Sequence, residues 1–113
     1  MRMMMQVTIP VEQGNRAFKD GTVRKVLQST IQKLKAEAAY FSPMEGTRTA
    51  FIVFDMKDSS DLVPITEPLF QNLNAHVKVN PAMNTDDLMA GVEKFGKATP
   101  EAPGEAPLAP AKP

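Results

Sequence analysis

The sequence of 113 residues contains no cysteine. This absence excludes disulfide bonds, a thiol nucleophile, iron–sulfur clusters and every zinc site that uses cysteine ligands. The single histidine, His76, stands among scattered carboxylates, whereas a zinc site needs several ligands at close spacing. We therefore predict no metal site, and we expect no cofactor.

An excess of charge of either sign is also missing, since thirteen basic residues balance thirteen acidic ones. Nucleic-acid-binding domains present a basic surface, and no arginine- and lysine-rich run with interleaved aromatic residues occurs here. No apolar run approaches the roughly 18 residues of a membrane span. The N-terminal segment MRMMMQVTIP lacks the long apolar core and the cleavage site of a secretory signal. We predict a cytoplasmic protein that binds neither nucleic acid nor membranes.

The most informative segment that is present is Arg48–Met56, with the sequence RTAFIVFDM. In an extended strand its side chains alternate between two faces, and both rows are largely apolar. A strand of this kind is typical of a sheet covered on both sides. The helices of so short a chain suffice for one side only. We therefore expect a second copy of the chain to cover the other face.

Three further segments are predicted to be strands, namely Arg2–Ile9, Glu37–Phe41 and His76–Ala82, and the last has a clear apolar–polar alternation. The connection Ser42–Thr47 contains proline and glycine, and it predicts a hairpin between the second strand and the central one. Together with Arg48–Met56 these segments predict a four-stranded sheet.

Helical spacing of apolar residues occurs in three places. The first helix is predicted over 11–36, with a break near Asp20-Gly21 because glycine weakens a helix by about 1 kcal/mol relative to alanine. A second helix begins within Lys57–Asp61, which supplies N-cap and acidic first-turn residues, and Pro68 should kink or restart it. The third spans Asp86–Phe95.

The C-terminal end of the chain has a different composition. Lys97–Pro113 holds five of the ten prolines and shows no periodicity, which predicts a flexible, polyproline-like tail. The folded domain is then 1–96. A unit of this size has a modest core, so oligomerisation would add appreciably to its buried apolar surface.

The predicted order is strand–helix–strand–strand–helix–strand with an extra C-terminal helix, which is a ferredoxin-like α+β fold with a four-stranded antiparallel sheet. In the segments EAAYFSPMEGTRTAFIVFDMKD and EPLFQNLNAHVKVNPAM the chain resembles the dimeric α+β barrel superfamily, and more narrowly one of its small bacterial branches. The resemblance extends from Met1 to about Lys94. It implies a homodimer in which two sheets meet face to face and close a barrel.

The superfamily includes cofactor-free monooxygenases, muconolactone isomerase-like enzymes, heme-degrading enzymes and ligand-sensing modules, which commonly bind small molecules between sheet and helices. This chain has no tryptophan and lacks the Asn, His and Trp triad of the heme-degrading members. Our first hypothesis is a homodimeric module that binds a small apolar or amphipathic molecule. The residues predicted to bind it are Phe51, Phe54, Phe70 and Glu67.

The alternative hypothesis is a cofactor-free monooxygenase or isomerase. Its candidate catalytic residues are His76 for acid–base catalysis, Asp55 as a proton acceptor if burial raises its pKa, and Tyr40 as a hydroxyl donor to a ligand. Each has a simpler structural interpretation: an exposed or interface histidine, a carboxylate at the end of its strand, and a tyrosine ring packed at the rim of the sheet. Convergence of the three on one cavity would favour the enzyme, and wide separation would favour the module.

Overall fold

The computed structural model describes residues 1–98 of the chain. These residues form two compact units that divide after Ala82. The strands are β1 (Arg2–Ile9), β2 (Ala38–Met44), β3 (Thr47–Asp55) and β4 (His76–Pro81). The helices are α1 (Val11–Lys19), α2 (Thr22–Leu34), α3 (Leu62–Leu73) and α4 (Thr85–Ala98), and a 3-10 turn at Ser59–Asp61 precedes α3. The part of the predicted tail beyond residue 98 lies outside the described residues.

The first unit holds the sheet, in which the strand order is β2-β3-β1-β4 and neighbouring strands are antiparallel. Helices α1 and α2 connect β1 to β2, with β3 between these two strands. Helix α3 connects β3 to β4, with β1 between them. This is the ferredoxin-like βαββαβ arrangement, so the predicted fold class is confirmed. In the described part of the chain, no helix has the length and apolar character needed to cross a lipid bilayer.

The predicted break in the first helix falls where it was expected. Gly21 has a φ of 82°, a left-handed conformation that glycine adopts without a side-chain clash. The Asp20 carboxylate accepts a hydrogen bond from the backbone N–H of Thr22 at 2.9 Å. The chain therefore ends α1 at Lys19 and begins a second helix at Thr22.

The predicted hairpin is present, but the predicted end of its first strand at Phe41 was wrong. Strand β2 extends to Met44, and its turn consists only of Glu45 and Gly46, whose φ values are 53° and 75°. Two successive positive φ values are typical of the turn whose twist suits a two-residue hairpin, and an edge strand such as β2 tolerates Pro43. For Pro68 a kink or a restart of the helix was predicted, and α3 continues through this residue as one element without restarting.

One face of the sheet, which we call the covered face, carries the core. Alternate residues of β1 and β3 on this face are at most 6% exposed: Met3, Met5, Val7, Ile9, Ala50, Ile52 and Phe54. They form one cluster with buried residues of α1, α2 and α3, which are Ala17, Val23, Leu69 and Leu73. The three helices of the first unit thus bury their apolar residues on this face.

The opposite side of the sheet, which we call the open face, carries the other row of each strand. It includes Met4, Gln6, Thr8, Tyr40, Thr49, Phe51, Val53 and His76. Met4 is 47% exposed and Tyr40 is 71% exposed, whereas Phe51 and Val53 are half-buried. Tyr40 of the edge strand β2 and Phe51 of β3 are directly paired, so an aromatic pair lies on this face near its β2 edge.

Candidate ligand-binding site

A cleft of about 380 Å³ opens between one end of the sheet and helices α1 and α2, and we call it the sheet–helix cleft. Its walls are mostly apolar and come from both layers, with Ile9, Phe41, Pro43 and Ala50 from the sheet and Phe18, Val23 and Leu27 from the helices. Phe18 and Phe41 are 58% and 56% exposed. Small-molecule sites typically have volumes of about 300–1,000 Å³ and apolar walls with a few polar groups. The cleft meets both criteria.

The charged group of this cleft is Arg48 of β3. Its Cζ lies 4.6 Å from the centroid of the Phe18 ring, a cation–π contact. Its Nη2 donates a hydrogen bond to Asn15 Oδ1 at 3.1 Å. A Cβ atom at Gly14 would lie 2.5 Å from Arg48 Nη1, so the glycine makes room for the guanidinium. Three residues of α1 therefore hold the Arg48 side chain in place.

A second concave region, which we call the lysine groove, lies between α2 and α3 and has a volume of about 660 Å³. Apolar side chains line its inner surface, among them Val26, Leu34, Met56 and Ile65. Its charged lining residues are Lys25, Lys33, Lys35, Lys57, Asp55 and Asp61.

Asp55 lies at the C-terminal end of β3 with its carboxylate exposed to solvent. The carboxylate pairs with Lys57 Nζ at 2.9 Å and with the ammonium group of Met1 at 2.8 Å. Hydrogen bonds from these two groups, reinforced by their positive charges, lower the pKa of Asp55 to about 2. The Asp55 carboxylate is exposed, so it lacks the burial that would raise its pKa and make it a better proton acceptor. Asp55 has the environment of an ion-paired carboxylate at a strand end.

The three predicted catalytic residues share the open face but lie far apart. Tyr40 and His76 belong to the two opposite edge strands, and three strand spacings of about 4.8 Å separate them by about 14 Å or more. Asp55 pairs in register with Arg2, and His76 pairs with Thr8. The distance from Arg2 to Thr8 along β1 is about 20 Å. A single subunit therefore does not bring these residues to one cavity.

The four predicted ligand-binding residues also occupy different places. Phe54 is fully buried in the core, and Phe51 lies on the open face. Phe70 and Glu67 are on α3, where Glu67 Oε1 accepts a hydrogen bond from Gln71 Nε2 at 2.9 Å. None of the four lines the sheet–helix cleft or the lysine groove.

Sequence reasoning missed Arg48, Phe18 and Phe41, although the sequence carries a signal for two of them. Arg48 is the one charged residue in the strand row that continues with Ala50, Ile52 and Phe54, and a cation in such a row needs a local partner. Phe18 is a large aromatic residue of α1 that stays exposed rather than joining Ala17 in the core. Their contact depends on the packing of α1 beside β3.

No protein-family model matches the sequence, and no curated protein is significantly similar to it. The class of the protein is therefore defined by its fold, an α+β domain of ferredoxin-like topology with a four-stranded antiparallel sheet. Within residues 1–98 no group of three or more histidine, aspartate or glutamate side chains is placed to hold a metal ion. The function has to be inferred from the cleft and from the open face.

Proposed function

We propose that this protein is a non-enzymatic, homodimeric binding module of the dimeric α+β barrel superfamily. It holds a small apolar or amphipathic molecule in the sheet–helix cleft. The observation that carries the proposal is the cleft itself, which combines apolar walls with one positioned polar group, Arg48.

The exposed aromatic side chains of the cleft supply a driving force for binding. Phe18 and Phe41 each expose more than half of their surface, and both stand beside the apolar side chains of Leu27 and Ile9. Burying an apolar side chain stabilises a complex in proportion to the area removed from water, by about 25 cal/mol per Å². An apolar ligand that covers the two rings therefore gains free energy from both walls.

The homodimer forms through the open face. Met4, Tyr40, Phe51 and Val53 present apolar surface there, and the flat extent of a four-stranded sheet allows a second copy to be stacked on it at a sheet-to-sheet spacing of about 10 Å. An isologous contact of this kind pairs the same residues from both subunits. The net charge of zero removes any bulk repulsion between the copies.

The alternative, a cofactor-free monooxygenase or isomerase, has less support. Acid–base catalysis requires the acting groups to reach one substrate at hydrogen-bond distance. His76, Asp55 and Tyr40 do not converge within one subunit, and the separation favours a module that binds without transforming its ligand.

The test is a binding titration with an uncharged naphthylamine fluorophore, whose emission rises in apolar surroundings. We expect saturable binding to the wild-type protein. Phe18→Ala and Phe41→Ala should each weaken it by about 1 kcal/mol, or roughly fivefold, because each removes about half of a phenylalanine's burial energy. Both side chains are exposed, so the variants retain the fold.

Phe70→Ala is the matched control, since Phe70 is another exposed phenylalanine but lies on α3 outside the cleft. It should leave the affinity within twofold of the wild type. If Phe70→Ala weakens binding while the two cleft variants do not, the ligand binds elsewhere. The absence of saturable binding to the wild type would reject the binding function.

A further inference from the structure

The guanidinium of Arg48, the charged group in the lining of the sheet–helix cleft, uses only part of its hydrogen-bonding capacity. A guanidinium has five N–H donors in a planar fork, and the structure gives Arg48 one hydrogen bond, to Asn15, and one ring contact, to Phe18. Among residues 1–98, no carboxylate forms an ion pair with it. The residue is half-buried. N–H groups of the Arg48 guanidinium are thus available to bind a ligand beside the apolar walls of the cleft.

The Arg48 side chain is also positioned before any ligand binds. Phe18 stacks on one side of the guanidinium, Asn15 holds Nη2, and the missing side chain at Gly14 leaves the space that Nη1 occupies. Arginine binds carboxylates through two parallel hydrogen bonds, which adds geometric selectivity to the charge attraction. A group held in its binding geometry loses less conformational entropy when the ligand arrives.

We propose that the ligand of the sheet–helix cleft is an amphipathic carboxylate. Its carboxylate is bound by Arg48, and its apolar part lies against Phe18, Leu27 and Phe41. This proposal rests on the proposed binding function and adds the chemical class of the ligand.

The lysine groove is the competing location for an anionic amphiphile. It is larger than the cleft, and four lysines contribute to its lining against two aspartates. Lys57 is already paired with Asp55 at 2.9 Å. Lysine side chains are flexible point charges that do not favour the planar carboxylate over other anions as an arginine fork does. The cleft is therefore the better carboxylate site, and the groove provides a control region.

The experiment measures displacement of the naphthylamine fluorophore by dodecanoate and dodecyltrimethylammonium below their micelle concentrations, and by dodecanol below its solubility limit. The readout is the ratio of the dodecanoate affinity to the dodecanol affinity. We expect a ratio of roughly ten or more in the wild type, since hydrogen bonds to a charged partner contribute about that much. Dodecyltrimethylammonium should bind more weakly than dodecanol.

Two variants remove the carboxylate preference by different means. Arg48→Met deletes the cation, and Asn15→Asp retains Arg48 but places a carboxylate where the amide oxygen lies 3.1 Å from Nη2. Asn15 is exposed and the change is isosteric, so this variant tests the proposal even if Arg48→Met fails to fold. Both should bring the affinity ratio close to one. Lys33→Gln combined with Lys35→Gln should leave the ratio unchanged.

The outcomes separate the ligand class from the binding function. If dodecanoate and dodecanol displace the fluorophore equally, the carboxylate proposal is overturned while the binding module stands. If the double lysine variant loses the preference and Arg48→Met keeps it, the anion binds in the lysine groove and the proposal is overturned. If no ligand and no fluorophore binds the wild type, the proposed function fails as well.

Discussion

Both faces of the sheet carry large apolar residues, but these residues have opposite environments on the two faces. On the covered face Met5, Ile52 and Phe54 are completely inaccessible to solvent. On the open face the neighbouring Met4 is 47% exposed, and Phe51 is only half-buried. In β3 both rows are largely apolar, but β1 and β4 place the polar residues Gln6, Thr8 and His76 on the open face only. The difference in exposure arises because α1, α2 and α3 all connect strands across the same side of the sheet, so that none of these three helices covers the other side.

This comparison has an energetic consequence for a chain of this size. Small domains bury a smaller fraction of their surface than large ones, so each apolar side chain contributes a larger share of the total stability. Apolar side chains that stay in water contribute nothing to folding, whereas covering them would add about 25 cal/mol for each Å² removed from solvent. Within residues 1–98 the exposed apolar surface of the open face therefore adds little stabilisation. The dimer proposed above would bury this surface.

The largest expected difference between the two faces appears on truncation of one phenylalanine from each. Phe54→Ala removes a ring from a fully buried site and should lower the free energy of unfolding by about 3–5 kcal/mol. Phe51→Ala removes a half-buried ring from the open face and should cost less than half as much in dilute solution. Urea denaturation of both variants at low micromolar concentration measures the two values. Equal losses there would mean that the two faces contribute equally to the fold of one subunit.

The second prediction concerns assembly. Val53→Lys places a charge on β3, an interior strand of the proposed dimer interface, so the variant should sediment as a monomer, while the wild type sediments as a dimer. Helix content, measured by circular dichroism, should remain near that of the wild type because Val53 lies outside the core cluster.

Val63→Lys is the matched control, because Val63 is an exposed valine on α3. It should leave the sedimentation coefficient unchanged. A wild-type protein that sediments as a monomer at tens of micromolar would contradict the dimer. Dissociation caused by Val63→Lys but not by Val53→Lys would place the interface on the helices, and equal dissociation by both would remove the support for the open face.

The smallest expected effect comes from Asp55 at the edge of the open face, because its ion pairs are exposed and screened by solvent. Its pKa is lowered from 3.8 to about 2. The stabilisation from this carboxylate is therefore fully present above pH 3.8 and is lost as the pH falls towards 2. The stability difference between wild type and Asp55→Asn should shrink over this range in urea denaturation.

Lys57→Met tests whether the ion pair with Lys57 causes the pH-dependent stabilisation by Asp55. Lys57 is the first contributor to the lowered pKa of Asp55, so the effect of Asp55→Asn should be smaller in the Lys57→Met background. An effect of the same size in both backgrounds would mean that Lys57 does not stabilise the folded protein through Asp55.

Much of the fold was predictable from local sequence because its signals act over a few residues. The break at Gly21 follows from the conformational freedom of glycine, and the start of α4 follows from Asn84, whose side chain accepts from the Asp87 N–H at 2.8 Å. The length of β2 was not predictable in this way. Whether Pro43 ends a strand depends on its being at the sheet edge, which is a property of the assembled sheet.

The candidate site was less predictable than the fold. His76, Asp55 and Tyr40 were selected for the chemistry of their side chains. The distances between these side chains depend on the order and register of the strands, which the sequence does not reveal. Arg48 and Phe18 are thirty residues apart in sequence, and their contact exists because α1 packs beside β3. No periodicity within either segment indicates that contact.

By itself the sequence determined the type and order of the elements, since period-two alternation, helical spacing and caps are local properties of the backbone. It also determined that both rows of β3 are apolar. Only the tertiary structure decided which row is covered, because that depends on the side of the sheet that the connecting helices cross. The same packing brought Gly14, Asn15 and Phe18 around Arg48, because a contact between distant segments forms only when the helices dock on the sheet.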